Sequence, residues 1–202
     1  MMEKDNLLES LKKQGYSDEI LSAFANIKRE KFLPENIVSY AYDDIALPIE
    51  SGSTISQPST IAFMLSILEL KPKIKVLEIG SGSGYALSLI SEIIKEGEIY
   101  GIEIIKRLAV KSSDLLRDDK KIKIFNKEGS LGLPKFAPFD RILISASCPD
   151  MRIPYNLVEQ LSEGGILVAA VKQSIFQIKK ENAKLIEKEF PGFAFIPLRK
   201  EE

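Results

Sequence analysis

Hydrophobic and polar positions along the chain fall into two regimes. Over residues 6–13 and 18–27 apolar residues such as Leu7, Leu8 and Leu11 recur at helical spacing, and Gly15 separates the two stretches. They predict two short amphipathic helices. Residues 32–48 are irregular, punctuated by Pro34 and Pro48 and anchored by Tyr40, Tyr42 and Ile45. Pro58 opens a helix expected to run to about Leu70, since proline suits the first helical turn.

From Lys75 the pattern changes. Val76-Leu77-Glu78-Ile79 is a short apolar run ending at Gly80. Helical spacing over 85–95, a strand over 98–103 and a second helix over 105–116 follow. Further strands are predicted at 122–125, 141–145 and 165–171, with a helix over 154–161. Strands alternating with helices of about ten residues indicate a mostly parallel, doubly wound sheet covered on both faces. Beyond Val171 the alternation stops, and 175–178, 183–188 and 193–197 read as consecutive strands forming an antiparallel edge. The fold class is therefore α/β with an N-terminal helical extension. The chain divides into an extension over 1–57, a core over 58–171 and C-terminal strands over 172–202, all one domain.

Composition narrows the chemistry. With 202 residues, 45% apolar and 28% charged, the chain is suited to one globular domain and not to disorder or a fibre. Lys plus Arg is 28 against 29 for Asp plus Glu, so no overall basic surface is built for nucleic acid. Cys148 is the only cysteine, which excludes an intrachain disulfide and a cysteine zinc cluster. Histidine is absent, which removes Ser-His-Asp and Cys-His catalysis and histidine-ligated metals. Residues 1–13 carry too many charges for a signal peptide. The longest charge-free stretch, 51–68, is too polar for a membrane span, which needs about 20 mostly apolar residues. A cytoplasmic location is expected.

Candidate chemistry centres on Gly80-Ser81-Gly82-Ser83-Gly84, between a predicted strand and a predicted helix. A dinucleotide G-x-G-x-x-G would need glycine at 85, where tyrosine stands, and no Lys-Ser or Lys-Thr pair closes a Walker loop. The acid-x-G-x-G-x-G spacing, with Glu78 leading, resembles the first motif of Rossmann-like S-adenosylmethionine-dependent methyltransferases. That cofactor has no phosphate and carries a ribose diol suited to a strand-end carboxylate. Glu103 lies 23 residues beyond Gly80, close to the roughly 20 expected of such an acid. Glu78 is placed for the cationic methionine end, directly or by fixing the loop. Glu128 follows the third strand, where an acid can accept a hydrogen bond from adenine. Read singly, the glycine run is also a surface turn, Glu103 a solvated strand-end charge and Glu128 an exposed turn residue.

Longer segments extend the resemblance. Arg29-Glu30-Lys31-Phe32-Leu33-Pro34, Ala41-Tyr42-Asp43-Asp44 and Thr54-Ile55-Ser56-Gln57-Pro58 are similar to the protein-L-isoaspartate O-methyltransferase family. So are residues 76–85, Ala137-Pro138-Phe139-Asp140-Arg141-Ile142, the Glu163-Gly164-Gly165 turn and Phe195-Ile196-Pro197-Leu198. The Thr-Ile-Ser-Gln-Pro segment is the family-specific part. The resemblance implies Ser56 as the active-site serine, with Ser53, Thr54 and Ile55 beside it in the cofactor and substrate cleft. It also implies cofactor contacts from Gly80, Gly82, Glu103, Glu128 and Gly129, and no metal. Lys127-Glu128-Gly129 departs from the family's usual Gly-Asp-Gly, and Val171-Lys172 from its Pro-x-Gly.

The implied reaction is methyl transfer from S-adenosylmethionine to the free α-carboxylate of an L-isoaspartyl residue in a damaged protein, which begins its repair. The implied partners are isoaspartyl proteins or peptides, not nucleic acid or a membrane, and the expected state is a monomer. Apart from the resemblance, Ser56 is equally a cap ahead of the Pro58 helix. Alternatives are a nucleic-acid or small-molecule methyltransferase and a non-catalytic S-adenosylmethionine-binding protein. Against the nucleic-acid reading, residues 145–150 are Ser-Ala-Ser-Cys-Pro-Asp, without an Asn/Asp-Pro-Pro-aromatic segment or a Pro-Cys nucleophile.

Overall fold

The computed structural model describes residues 3–146 and 153–193. Helices α1 (Lys4–Lys13) and α2 (Asp18–Asn26) open the chain, and two 3-10 turns follow at Arg29–Phe32 and Glu35–Tyr40. A small hairpin of β1 (Leu47–Pro48) and β2 (Thr54–Ile55) leads into α3 (Pro58–Leu68). Then come β3 (Ile74–Ile79), α4 (Tyr85–Ile94), β4 (Gly97–Glu103), α5 (Lys106–Leu115), β5 (Ile122–Asn126) and β6 (Phe139–Ile144). The chain continues through α6 (Tyr155–Glu159), β7 (Leu161–Val171), β8 (Ser174–Glu181) and β9 (Lys184–Pro191).

The strands form one seven-stranded sheet in the order β5-β4-β3-β6-β7-β8-β9. The strands from β5 across to β7 are parallel, and β8 and β9 are antiparallel. Alternate residues of each buried strand serve opposite cores. Val76, Ile99, Leu143 and Val168 join the helical extension, α3 and α4 on one face. Leu77, Tyr100, Ile142 and Leu167 join α6 on the other. Burial on both faces explains why these strands read as continuous apolar runs.

Several boundaries differ from the sequence expectation. The third helix stops at Leu68, not near Leu70, because Glu69 takes a left-handed conformation. The helix expected over 154–161 shrinks to Tyr155–Glu159. Gln160 instead turns its side chain to the backbone of Leu131 and Leu133. β6 begins at Phe139 and β7 at Leu161, both earlier than expected, through a register shift that absorbs the Glu163-Gly164-Gly165 turn. The expected strand over 193–197 lies outside the described residues beyond Phe193.

The β5–β6 crossover contains one 3-10 turn, Pro134–Phe136, and no α-helix. Aromatic rings cover the sheet there: Tyr100 lies 4.8 Å from Phe136 and 5.8 Å from Phe139, centroid to centroid. Large rings supply the area that a helix would bury.

Candidate active site

The strand order reverses at β3, where β4 leads away on one side and β6 on the other. Open α/β sheets hold ligands outside the carboxyl ends of strands at such a reversal. A cleft open to solvent lies there and is lined by Thr54, Ile55, Ser56, Glu78, Gly80 and Gly82. Six sequence-predicted residues thus come together from two separate segments, 54–56 and 78–82. Ser53, Glu103, Glu128 and Gly129 stand outside the lining.

The Gly80–Gly84 loop is held mainly from within the chain. The amides of Gly80 and Ser81 both donate to the Ile102 carbonyl, at 2.8 and 3.0 Å, and Gly84 donates to Ser81. The Gly82 amide donates to Glu103 Oε2 at 2.8 Å, and Ile105 donates to Glu103 Oε1 at 2.8 Å. A pyrophosphate cradle needs its loop amides free to point at the ligand. Here four of them are committed to protein oxygens, which agrees with the failed dinucleotide spacing. Gly80 has φ +77, and a Cβ there would lie 3.0 Å from the Ala146 Cβ. Both the turn and the close approach of the β6 end require glycine.

The two carboxylates make different bonds within the chain. Glu103 fixes the loop, and Glu78 makes no bond to it. Glu78 is 1% exposed; its Oε1 accepts from the Ser145 hydroxyl at 2.5 Å, and its Oε2 has no partner among the described residues. Burial pushes the Glu78 carboxyl up to about 8; the Ser145 bond opposes this and Glu103 adds to it. Glu103 uses one lone pair on each oxygen, and a carboxylate retains acceptor capacity beyond that.

Ser56 sits between β2 and α3. The Arg29 guanidinium donates to its carbonyl at 3.1 Å. Asp44 accepts from Gln57 Nε2 at 3.2 Å and from the Ser59 amide at 2.8 Å. The helix start is therefore capped by Asp44, so the capping alternative for Ser56 fails. No hydrogen bond engages the hydroxyls of Ser53, Thr54 or Ser56 among the described residues.

Glu128 does not reach the cleft lining. Its carboxylate accepts from the Ser130 amide at 2.8 Å and hydroxyl at 2.7 Å. Lys127 donates to the Gly132 carbonyl at 3.1 Å and closes the same loop. Gly129 packs against β3, where an added Cβ would stand 2.5 Å from Ile79 Cγ2. Cys148 lies outside the described residues.

Sequence reasoning missed Ser145 as the partner of Glu78, Arg29 and Asp44 as supports of Ser56, and Glu50. Glu50, on the β1–β2 hairpin, pairs with Arg107 at 2.5 Å and Lys111 at 2.8 Å on α5. No local signal points to these contacts, because each joins segments distant in sequence.

A doubly wound sheet in this order, with its cleft at the reversal and an antiparallel edge, is the Rossmann-like architecture of methyltransferases. Comparison with known proteins narrows the class. The family profile described as Protein-L-isoaspartate(D-aspartate) O-methyltransferase (PCMT) matches residues 2–202. A Methanopyrus kandleri protein-L-isoaspartate O-methyltransferase is 37% identical over 210 residues, covering 98% of this chain and 92% of the relative. A Thermosipho melanesiensis relative of the same name is 40% identical over 199 residues, covering 95% and 100%. A solved protein-L-isoaspartate O-methyltransferase superposes with TM-score 0.90 at 29% identity, covering 98% of this chain and 66% of that longer one. A Plasmodium falciparum structure described as the same enzyme in complex with S-adenosyl-L-homocysteine gives TM-score 0.86 at 27% identity, covering 100% of both. The chain belongs to the protein-L-isoaspartate(D-aspartate) O-methyltransferase family.

Proposed function

We propose that this chain transfers a methyl group from S-adenosylmethionine to the free α-carboxylate of L-isoaspartyl residues in proteins and peptides, the first step of their repair. The residues at the cleft fit that cofactor. The unpartnered, buried Glu78 Oε2 suits a cationic ligand. Glu103 retains lone pairs for a sugar diol, and the committed loop amides suit a ligand without phosphate. When bound, the cofactor supplies an electrophilic methyl group on a positively charged sulfur.

The remaining chemistry asks little of the chain in proton transfer. A carboxylate with a pKa of about 3.5 to 4 is ionised at neutral pH and needs no general base. A chain without histidine can therefore run this reaction. Holding the acceptor in line and excluding water supply the acceleration, because opposite charges neutralise as the methyl passes. Ser56 donates its hydroxyl hydrogen to the acceptor carboxylate and orients it. The observation that carries this role is a hydroxyl without a hydrogen bond among the described residues, on a backbone held from both sides, in a residue that lines the same cleft as Glu78 and the glycine loop.

Methyl transfer to an isoaspartyl peptide is compared with transfer to its aspartyl twin. The isoaspartyl peptide is expected to be methylated and the twin not. Preference for the twin, or no transfer to either, overturns the proposal. Ser56→Ala is expected to reduce turnover sharply while leaving the melting temperature in place.

A further inference from the structure

Arg29 is among the largest fully buried side chains, at 0% exposure, and the reaction as derived does not use it. Among the described residues no carboxylate lies within ion-pair distance of it. Its guanidinium donates instead to four backbone carbonyls. Nη1 reaches Ala41 at 2.7 Å and Asp43 at 3.3 Å; Nη2 reaches Ile45 at 3.1 Å and Ser56 at 3.1 Å. Nε has no partner. Three acceptors belong to the irregular stretch before β1, and the fourth is the carbonyl of the candidate active-site serine.

A guanidinium without a carboxylate partner is costly to bury. Burial pulls the Arg29 pKa down to about 10, opposed by Tyr85, Asp44, Asp43 and Tyr42. It remains charged at neutral pH. The planar fork lets one group bond two strips of backbone at once, a geometry that an ammonium does not reproduce. A fold-only role would be served more cheaply by apolar packing. The fourth bond is what apolar packing could not supply, because it fixes the Ser56 peptide relative to the 41–45 wall.

We propose that Arg29 is the positioning residue of the methyl-transfer site: its guanidinium ties the Ser56 carbonyl to the carbonyls of Ala41, Asp43 and Ile45 and so aims the serine hydroxyl into the cleft. The inference rests on the orienting role of Ser56. Arg29 touches neither cofactor nor acceptor.

The test is a double-mutant cycle of wild type, Arg29→Lys, Ser56→Ala and the double variant. Turnover on an isoaspartyl peptide and S-adenosylhomocysteine affinity by calorimetry are both measured. Arg29→Lys is expected to lower kcat by about tenfold or more, since small misplacements of reacting groups are costly. Its S-adenosylhomocysteine affinity is expected to stay within about threefold of wild type. In the Ser56→Ala background the same change is expected to cost less than about threefold, because residues acting as one unit are not additive. A full loss in both backgrounds, or wild-type turnover in Arg29→Lys, overturns the inference. Wild-type turnover in Ser56→Ala instead overturns the serine's role on which it rests. Should Arg29→Lys not fold, Arg29→Ala is assayed with added guanidinium or ammonium. Recovery of turnover by guanidinium alone supports the inference, and no recovery overturns it.

Discussion

Glu78 makes the stability of this protein depend on pH in a direction opposite to that of most carboxylates. An ordinary glutamate ionises near 4.5, whereas burial holds Glu78 protonated up to about 8. Below the lower value the carboxyl is neutral in both the folded and unfolded chains. Between the two values the unfolded chain gives up the proton and the folded one keeps it, so stability falls as pH rises. Above about 8 the fall ends. A gap of roughly three and a half pH units, at ~1.4 kcal/mol each, makes the loss at most about 5 kcal/mol.

Glu78→Gln isolates this contribution. The glutamine carbonyl still accepts from Ser145, and its amide replaces the unpartnered oxygen without charge. Denaturant unfolding of wild type and variant is compared from pH 5 to pH 9. The variant is expected to gain on wild type by up to ~1.4 kcal/mol per pH unit, with the gain levelling above pH 8. A stability difference that does not change with pH refutes the reasoning. The same group ties ligand affinity to pH: a cationic ligand favours the ionised carboxylate, so S-adenosylhomocysteine affinity is expected to rise toward pH 8 in wild type and not in Glu78→Gln.

Other changes test the loops around the cleft. Glu103→Gln turns an amide toward either the Gly82 or the Ile105 amide, leaving a donor unsatisfied at about 1–3 kcal/mol. Calorimetry is expected to show S-adenosylhomocysteine affinity lowered by about tenfold or more, and unchanged affinity would refute the loop-fixing role. Gly129→Ala forces a Cβ against Ile79 and is expected to cost about 1–3 kcal/mol, read as a melting temperature several degrees lower. Glu50→Gln removes the charge link between the hairpin and α5. Salt is expected to speed S-adenosylhomocysteine release from wild type and not from the variant, because screening weakens exposed ion pairs. Lys127→Gly is expected to leave that affinity unchanged, since the ammonium is engaged with Gly132.

The parallel core was legible because its inner strands are largely apolar on both faces and end near glycine or a charge. The helix missing from the β5–β6 crossover is consistent with the short proline-broken stretch there, although sequence did not show that Tyr100, Phe136 and Phe139 would cover the face. The strand ends at 139 and 161 were missed because a register shift carries no periodic signature. In the cleft, the glycine spacing and the two glutamates lead to one loop, but no sequence signal gave the bonds each carboxylate makes within the chain. Glu78, one residue before the strand end, is buried and accepts from Ser145, the residue after β6. Glu103, at the strand terminus, meets the loop amides. A difference of one position in the strand decides which carboxylate is satisfied by backbone and which is left with a bare oxygen.

Arg29 shows why the rest stayed hidden. In sequence it is an ordinary charged residue after an amphipathic helix, and charged residues are seldom fully buried. Its burial follows from four carbonyls in two strips that no local pattern joins. The strips lack regular pairing: 41–45 lies between a 3-10 turn and a two-residue strand, and Ser56 lies between a strand and a helix. Their carbonyls need donors that secondary structure does not supply, and a buried polar group left unbonded is expensive. A single five-donor side chain satisfies both strips. It therefore links the irregular part of the chain to the serine.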